Sequence, residues 1–173
     1  MKALFQFKTL SFLLCAFLVS STLMAQKKEK VVSPHLGVSG TVAGATISIR
    51  YGSPYVKGRK IWGGLEPYGK VYRAGADSAT TVTISKDVKV DGKTLPAGKY
   101  SFFVIPTEKG KWTVIFNKTA EQWGAFTYDK GKDQLRVMVT PKKVAKTEQL
   151  TYIITKDGFS MNWDEVSIPV WIK

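Results

Sequence analysis

The side chains best equipped for chemistry gather in one stretch, Tyr51 to Ala76, which reads YGSPYVKGRKIWGGLEPYGKVYRAGA and runs directly into Asp77. It holds six glycines, two prolines, four tyrosines, Trp62 and the cations Arg59, Lys60 and Arg73, with almost no aliphatic periodicity. Neither core packing nor solubility accounts for that composition, and loops of this kind carry function on a rigid scaffold. Arg59, Lys60 and Arg73 supply cations, while Tyr55, Trp62, Tyr68 and Tyr72 supply flat faces. This pairing suits an anionic or sugar-like ligand. With Asp77 and, from a later segment, Trp123, these residues make the expected binding set: Arg59, Lys60, Trp62, Tyr68, Tyr72, Arg73, Asp77 and Trp123. Glycines 58, 63, 64, 69 and 75 would let backbone approach the ligand closely. The competing expectation is that the aromatics cap an open end of the fold and the arginines pair with Glu66 and Asp77.

Catalytic constellations are scarce. His35 is the single histidine, and its place after Ser33-Pro34 is no sign of a triad, whose members come from distant segments. A metal site would have only carboxylates to add to it, so no metal and no cofactor is expected. Asp87, Asp91, Asp129, Asp133 and Asp157 stand beside lysines or in turns. Glu66 and Asp77 are the candidates for a catalytic acid or base, with Glu121 a third carboxylate of interest. Gly58-Arg59-Lys60 lacks the spacing of a phosphate-binding loop.

The elements that must hold these residues are strands. From Val31 onward the apolar pattern keeps a period of two. Ile47, Ile49 and Tyr51 alternate with polar neighbours, as do Val82 and Ile84. Val88–Val90 faces Lys93–Leu95 across Asp91-Gly92, a hairpin signal because both turn residues tolerate positive φ. Tyr100–Ile105 is apolar on both faces and should be a central strand paired with Trp112–Phe116. Thr119–Gln122 suggests a short helical turn. Leu135–Val139, Leu150–Thr155, Phe159–Trp163 and Val166–Ile172 complete the set. Nine or ten strands and no long helix predict an all-β fold: an antiparallel β-sandwich or jelly roll, with a small β-barrel as the alternative.

The chain begins differently. Lys2 and Lys8 precede an apolar run from Thr9 to Val19 and small residues up to Ala25, the pattern of a secretory signal. That run is too short to span a bilayer, and anchoring through Cys15 is disfavoured because Leu14 stands where a small residue is wanted. Residues 1–25 are therefore expected to be a signal peptide, 26–32 a charged linker and 33–173 one all-β domain, periplasmic or secreted, with no transmembrane segment in the mature chain. Cys15 is the only cysteine, so the mature chain has no disulfide or thiol chemistry. The net charge of +13 becomes +11 without Lys2 and Lys8. An exported basic protein meets lipid head groups and anionic glycans rather than nucleic acid; evenly spread lysines also keep an all-β surface soluble.

Several blocks in order resemble one family. SPYVKGRKIWGGLEPYGKVYRAGAD, then LPAGKYSFFVIP, WTVIFNK and QWGAF, are similar to the bacterial domain-of-unknown-function 2911 family, over residues 33–173. The resemblance implies an exported protein and a shared fold, and carries no reaction with it. In that family a Trp is usual where Tyr72 stands and an Asn where Asp77 stands. The residues themselves thus favour a binding module for an anionic or sugar-like envelope component. A hydrolase or lyase acting on an envelope polymer, with Glu66 or Asp77 as acid or base, is a second expectation, and a structural or interaction protein of the envelope a third.

Overall fold

The computed structural model describes residues 33–173, so the signal and linker expected over 1–32 lie outside the described residues. Ten strands make up the domain: β1 (His35–Val42), β2 (Ala45–Gly52), β3 (Ala76–Ile84), β4 (Val88–Val90), β5 (Lys93–Leu95), β6 (Gly98–Ile105), β7 (Trp112–Asn117), β8 (Asp133–Val139), β9 (Lys142–Thr155) and β10 (Gly158–Trp171). Six of them form an antiparallel sheet in the order β1-β2-β3-β6-β7-β8, and β9 and β10 form a long hairpin. The hairpin β4–β5 turns at Asp91-Gly92, both with positive φ, and is tied to the last residues by Val90↔Ile172. The fold is all-β, as the period of two predicts. It is not a barrel: β9 runs beside β1 and β10 beside β8, but no ladder closes either seam.

The core lies between the six-stranded sheet and the β9–β10 hairpin. Ile47 and Ile49 of β2, Val82 and Ile84 of β3, and Phe102 and Val104 of β6 point inward, where Tyr152, Phe159, Met161 and Trp163 meet them. Phe102 packs edge-on against Phe116 and Phe159, with ring centres 5.4 and 5.5 Å apart. Each such fully buried side chain contributes about 1.5–3 kcal/mol. The opposite face of the sheet is also covered, in part: Phe103 and Ile115 lie under Val71, Ala125 and Tyr128. β6 is therefore buried on both faces, which its unbroken run YSFFVI requires.

Three local readings change. The alternation in HLGVSGTV is too weak to announce β1, which is an edge strand with mostly exposed residues. Phe159–Trp163 and Val166–Ile172 are one strand, interrupted by register shifts around Asp164, whose φ of 53° marks the irregularity. Thr119–Gln122 forms no helix; a 3-10 turn lies instead at Lys130–Lys132, capped by the Asp129 carboxylate accepting from Gly131 N–H at 2.8 Å.

Candidate functional site

The chain between β2 and β3 leaves the sheet and returns in a way that sorts its residues. Ser53 to Val56 runs along β9, with Val56 N donating to the Glu148 carbonyl at 2.7 Å and Leu150 N to the Pro54 carbonyl at 2.9 Å. Tyr72 then docks on β6: its N–H donates to the Val104 carbonyl at 2.8 Å and its carbonyl accepts from Val104 N at 2.9 Å. It takes the place beside β6 that β3 would have filled. Strand alternation from that anchor sends Tyr72 into the core and Val71 to the opposite face of the sheet.

Trp62, Tyr72, Trp112 and Trp163 consequently form a buried aromatic group. Trp62 meets Trp112 edge-on at 4.7 Å and Trp163 at 5.7 Å, while Tyr72 stacks on Trp163 at 6.0 Å. Trp62 Nε1, Tyr72 Oη, Trp163 Nε1 and the neighbouring Arg73 Nε are buried and have no hydrogen-bond partner in the protein among the described residues. Tyr72 is thus no open face for a ligand, contrary to the sequence-based expectation.

Glu66 stands half-buried beside this group. Burial pushes its carboxyl up to about 7, against the opposing pull of Arg73 and then Arg59. Burial also drives the Tyr72 hydroxyl far above its ordinary range, with the Glu66 charge as the next cause. Neither arginine makes an ion pair with Glu66 or Asp77 among the described residues. Arg59 instead holds its own loop, donating from Nε to the Val56 carbonyl at 3.0 Å and from Nη2 to the Tyr55 carbonyl. Lys60 is exposed on the same loop.

Beside the aromatic group opens a cleft of about 700 Å³. Trp62, Trp112 and Tyr68 line it, together with Lys111, Lys142 and Lys143 and the carboxylates of Glu108, Asp164 and Glu165. Tyr68 is 37% exposed and lies over Gly63, where an added Cβ would come within 2.4 Å of its ring. Gly63 also has a φ of 73°, so two constraints require glycine there. The glycines expected to admit a ligand mostly serve the loop itself. A Cβ on Gly64 would strike the Lys60 carbonyl at 2.4 Å, and one on Gly75 would lie 2.8 Å from Thr80 Oγ1.

The rest of the expected set is dispersed. Asp77 turns to the other side of the sheet, where its Oδ2 lies 3.1 Å from His35 Nε2. Trp123 is 63% exposed on the loop after β7, bridged through its backbone to Ser78 and absent from the cleft wall. Of the nominated residues, then, Trp62 and Tyr68 share the cleft, and Arg59, Glu66 and Arg73 share one electrostatic neighbourhood behind it. Trp112, Lys111, Lys142, Lys143, Asp164 and Glu165 escaped sequence reasoning because they come from three separate strands and a turn far apart in the chain. The β10 irregularity at Asp164 is the one local feature that sequence could have flagged.

No group of three or more His, Cys, Asp or Glu side chains able to hold a metal occurs among the described residues. No curated protein and no solved structure matches the chain. The family model described as a protein of unknown function, DUF2911, matches residues 33–172, and the chain belongs to that family.

Proposed function

We propose that the protein is a binding module whose cleft between Tyr68, Trp62 and Trp112 takes a sugar-like component of the cell envelope. The observation that carries this reading is the make-up of the cleft wall. An exposed aromatic face stands among lysines that donate and carboxylates that accept, the complement that a hydroxyl-rich ring needs. Lys111, Lys142 and Lys143 are balanced by Glu108, Asp164 and Glu165, and Lys143 lies 3.6 Å from Glu165. That balance supports a polar, near-neutral ligand over a strongly anionic one. The volume of about 700 Å³ suits a ligand of two or three sugar rings. The secretory pattern of residues 1–25 is what ties the ligand to the envelope.

Calorimetric titration with neutral and uronic-acid oligosaccharides at low and high salt tests the reading. A neutral oligosaccharide should bind with an affinity that salt leaves nearly unchanged. Binding of the uronic forms alone, falling steeply with salt, would sink it.

Glu66 supports a second reading, a hydrolase or lyase on an envelope polymer. A carboxyl near 7 beside two arginines is poised to exchange protons at neutral pH. Asp77, the other carboxylate considered for this role, lies across the sheet with His35. Turnover of a glycan or ester by the parent chain, lost in Glu66→Gln, is the outcome that this reading requires.

A further inference from the structure

On the sheet face opposite the core, β1, β2, β3 and β6 build a second hollow. Arg50 pairs in register with Gly37 on one side and Thr81 on the other, and His35 pairs with Gly52, so these side chains share the outer face. Gly37 contributes no side chain to crowd Arg50, and Gly52 is held bare by the Ala76 carbonyl, 2.2 Å from where a Cβ would stand. The result is a pocket of about 270 Å³ lined by His35, Arg50, Thr81 and Lys99, with Glu121 and Gln122 closing it from the loop after β7.

Two of the three basic side chains of this pocket already have a carboxylate partner. Lys99 is paired with Glu121, and His35 Nε2 with Asp77 Oδ2 at 3.1 Å. Arg50 has no carboxylate partner among the described residues. The His35–Asp77 contact is built in, since Asp77 reaches it from backbone at φ 63°, following Ala74 at φ 55°. That unusual backbone is pinned by the Ala74 carbonyl, which accepts from Thr80 Oγ1 at 2.9 Å and Tyr152 Oη at 2.8 Å.

We infer that this pocket is a second binding site, for the oxyanion group of a small molecule, a carboxylate or a phosphate. Arg50 holds the charge through its forked donors, and His35, held in place by Asp77, forms the wall beside it. The site is separate from the Tyr68 cleft and shares no lining residue with it.

Because His35 is the chain's only histidine, its ring proton signals report on the pocket without ambiguity. The experiment adds acetate, and separately inorganic phosphate, to the full chain at fixed pH and ionic strength. Saturable movement of the His35 signals is expected with at least one probe. Acetate alone identifies a carboxylate, phosphate alone a phosphate group, and both the oxyanion as such. In Arg50→Ala, an exposed position that should fold normally, the affinity should fall at least about tenfold. Movement that never saturates, or that is the same in Arg50→Ala, overturns the inference.

Discussion

Glu66 and Asp133 show how far a residue's environment departs from its type. Glu66 stands in a Gly-Pro-rich loop and reads as a solvated turn residue, yet the folded chain holds it half-buried with its carboxyl near 7. Below its ordinary value of 4.5 both folded and unfolded chains carry the proton. Between 4.5 and about 7 only the folded chain keeps it, so stability falls as pH rises through that window. Glu66→Gln should remove this slope and leave the variant more stable than the parent above pH 7, by about 1–2 kcal/mol after solvent screening. Denaturant midpoints measured between pH 4 and 8 check it; parallel curves would contradict it. Asp133 also reads as a turn carboxylate, but its Oδ2 accepts from Tyr128 Oη at 2.7 Å and Arg136 Nη1 at 2.9 Å, and its Oδ1 from Asn117 Nδ2 at 2.8 Å. Burial, and then this carboxylate, push the Tyr128 hydroxyl up to about 12. Asp133→Ala should cost about 2–3 kcal/mol by equilibrium unfolding, because it removes the acceptor shared by Tyr128, Arg136 and Asn117. Neither residue's surroundings, nor the His35–Asp77 contact across 42 positions, can be read from sequence: pairing partners are set by topology, not by neighbours along the chain.

Among the elements, strands with one buried face are legible wherever alternation is strong, as in ATISIRYG of β2, and the central place of β6 follows from its double-sided apolarity. The stretch between β2 and β3 is legible as special but not as to which of its aromatics face out. Its inward and outward residues are decided by the docking of Tyr72 on Val104, a pairing with no signature in the stretch itself. That docking buries Tyr72 and leaves Tyr68, on the far side of the Gly69 turn, as the exposed ring. The same return of the chain forces a close approach at the β2–β3 junction, where the Ala76 carbonyl occupies the space of a Gly52 side chain. Gly52→Ala should therefore cost about 1–3 kcal/mol, through displaced backbone. A thermal midpoint equal to the parent's would show that the junction yields freely.

The domain of residues 33–173 is an open two-layer structure, and its openness separates two kinds of surface. One lies at the end where the β6–β7 turn, the β8–β9 connection and the β10 irregularity surround Trp62 and Tyr68. The other lies on the outer face of the six-stranded sheet, around Arg50. The excess of cations over carboxylates in the sequence, which suggests an anionic partner, is not gathered in the larger cleft, where the two signs balance. Composition reports the total charge, and only the fold says where it sits. The central claim is that the Tyr68 cleft binds a sugar-like ligand, and tryptophan emission tests it most directly, since Trp62 and Trp112 form its wall. Titration of the full chain with a neutral oligosaccharide should give a saturable change, and Tyr68→Ala should weaken the affinity at least about tenfold while the thermal midpoint stays at the parent's value. Equal affinities in the parent and in Tyr68→Ala, or no saturable change with any oligosaccharide, would contradict it.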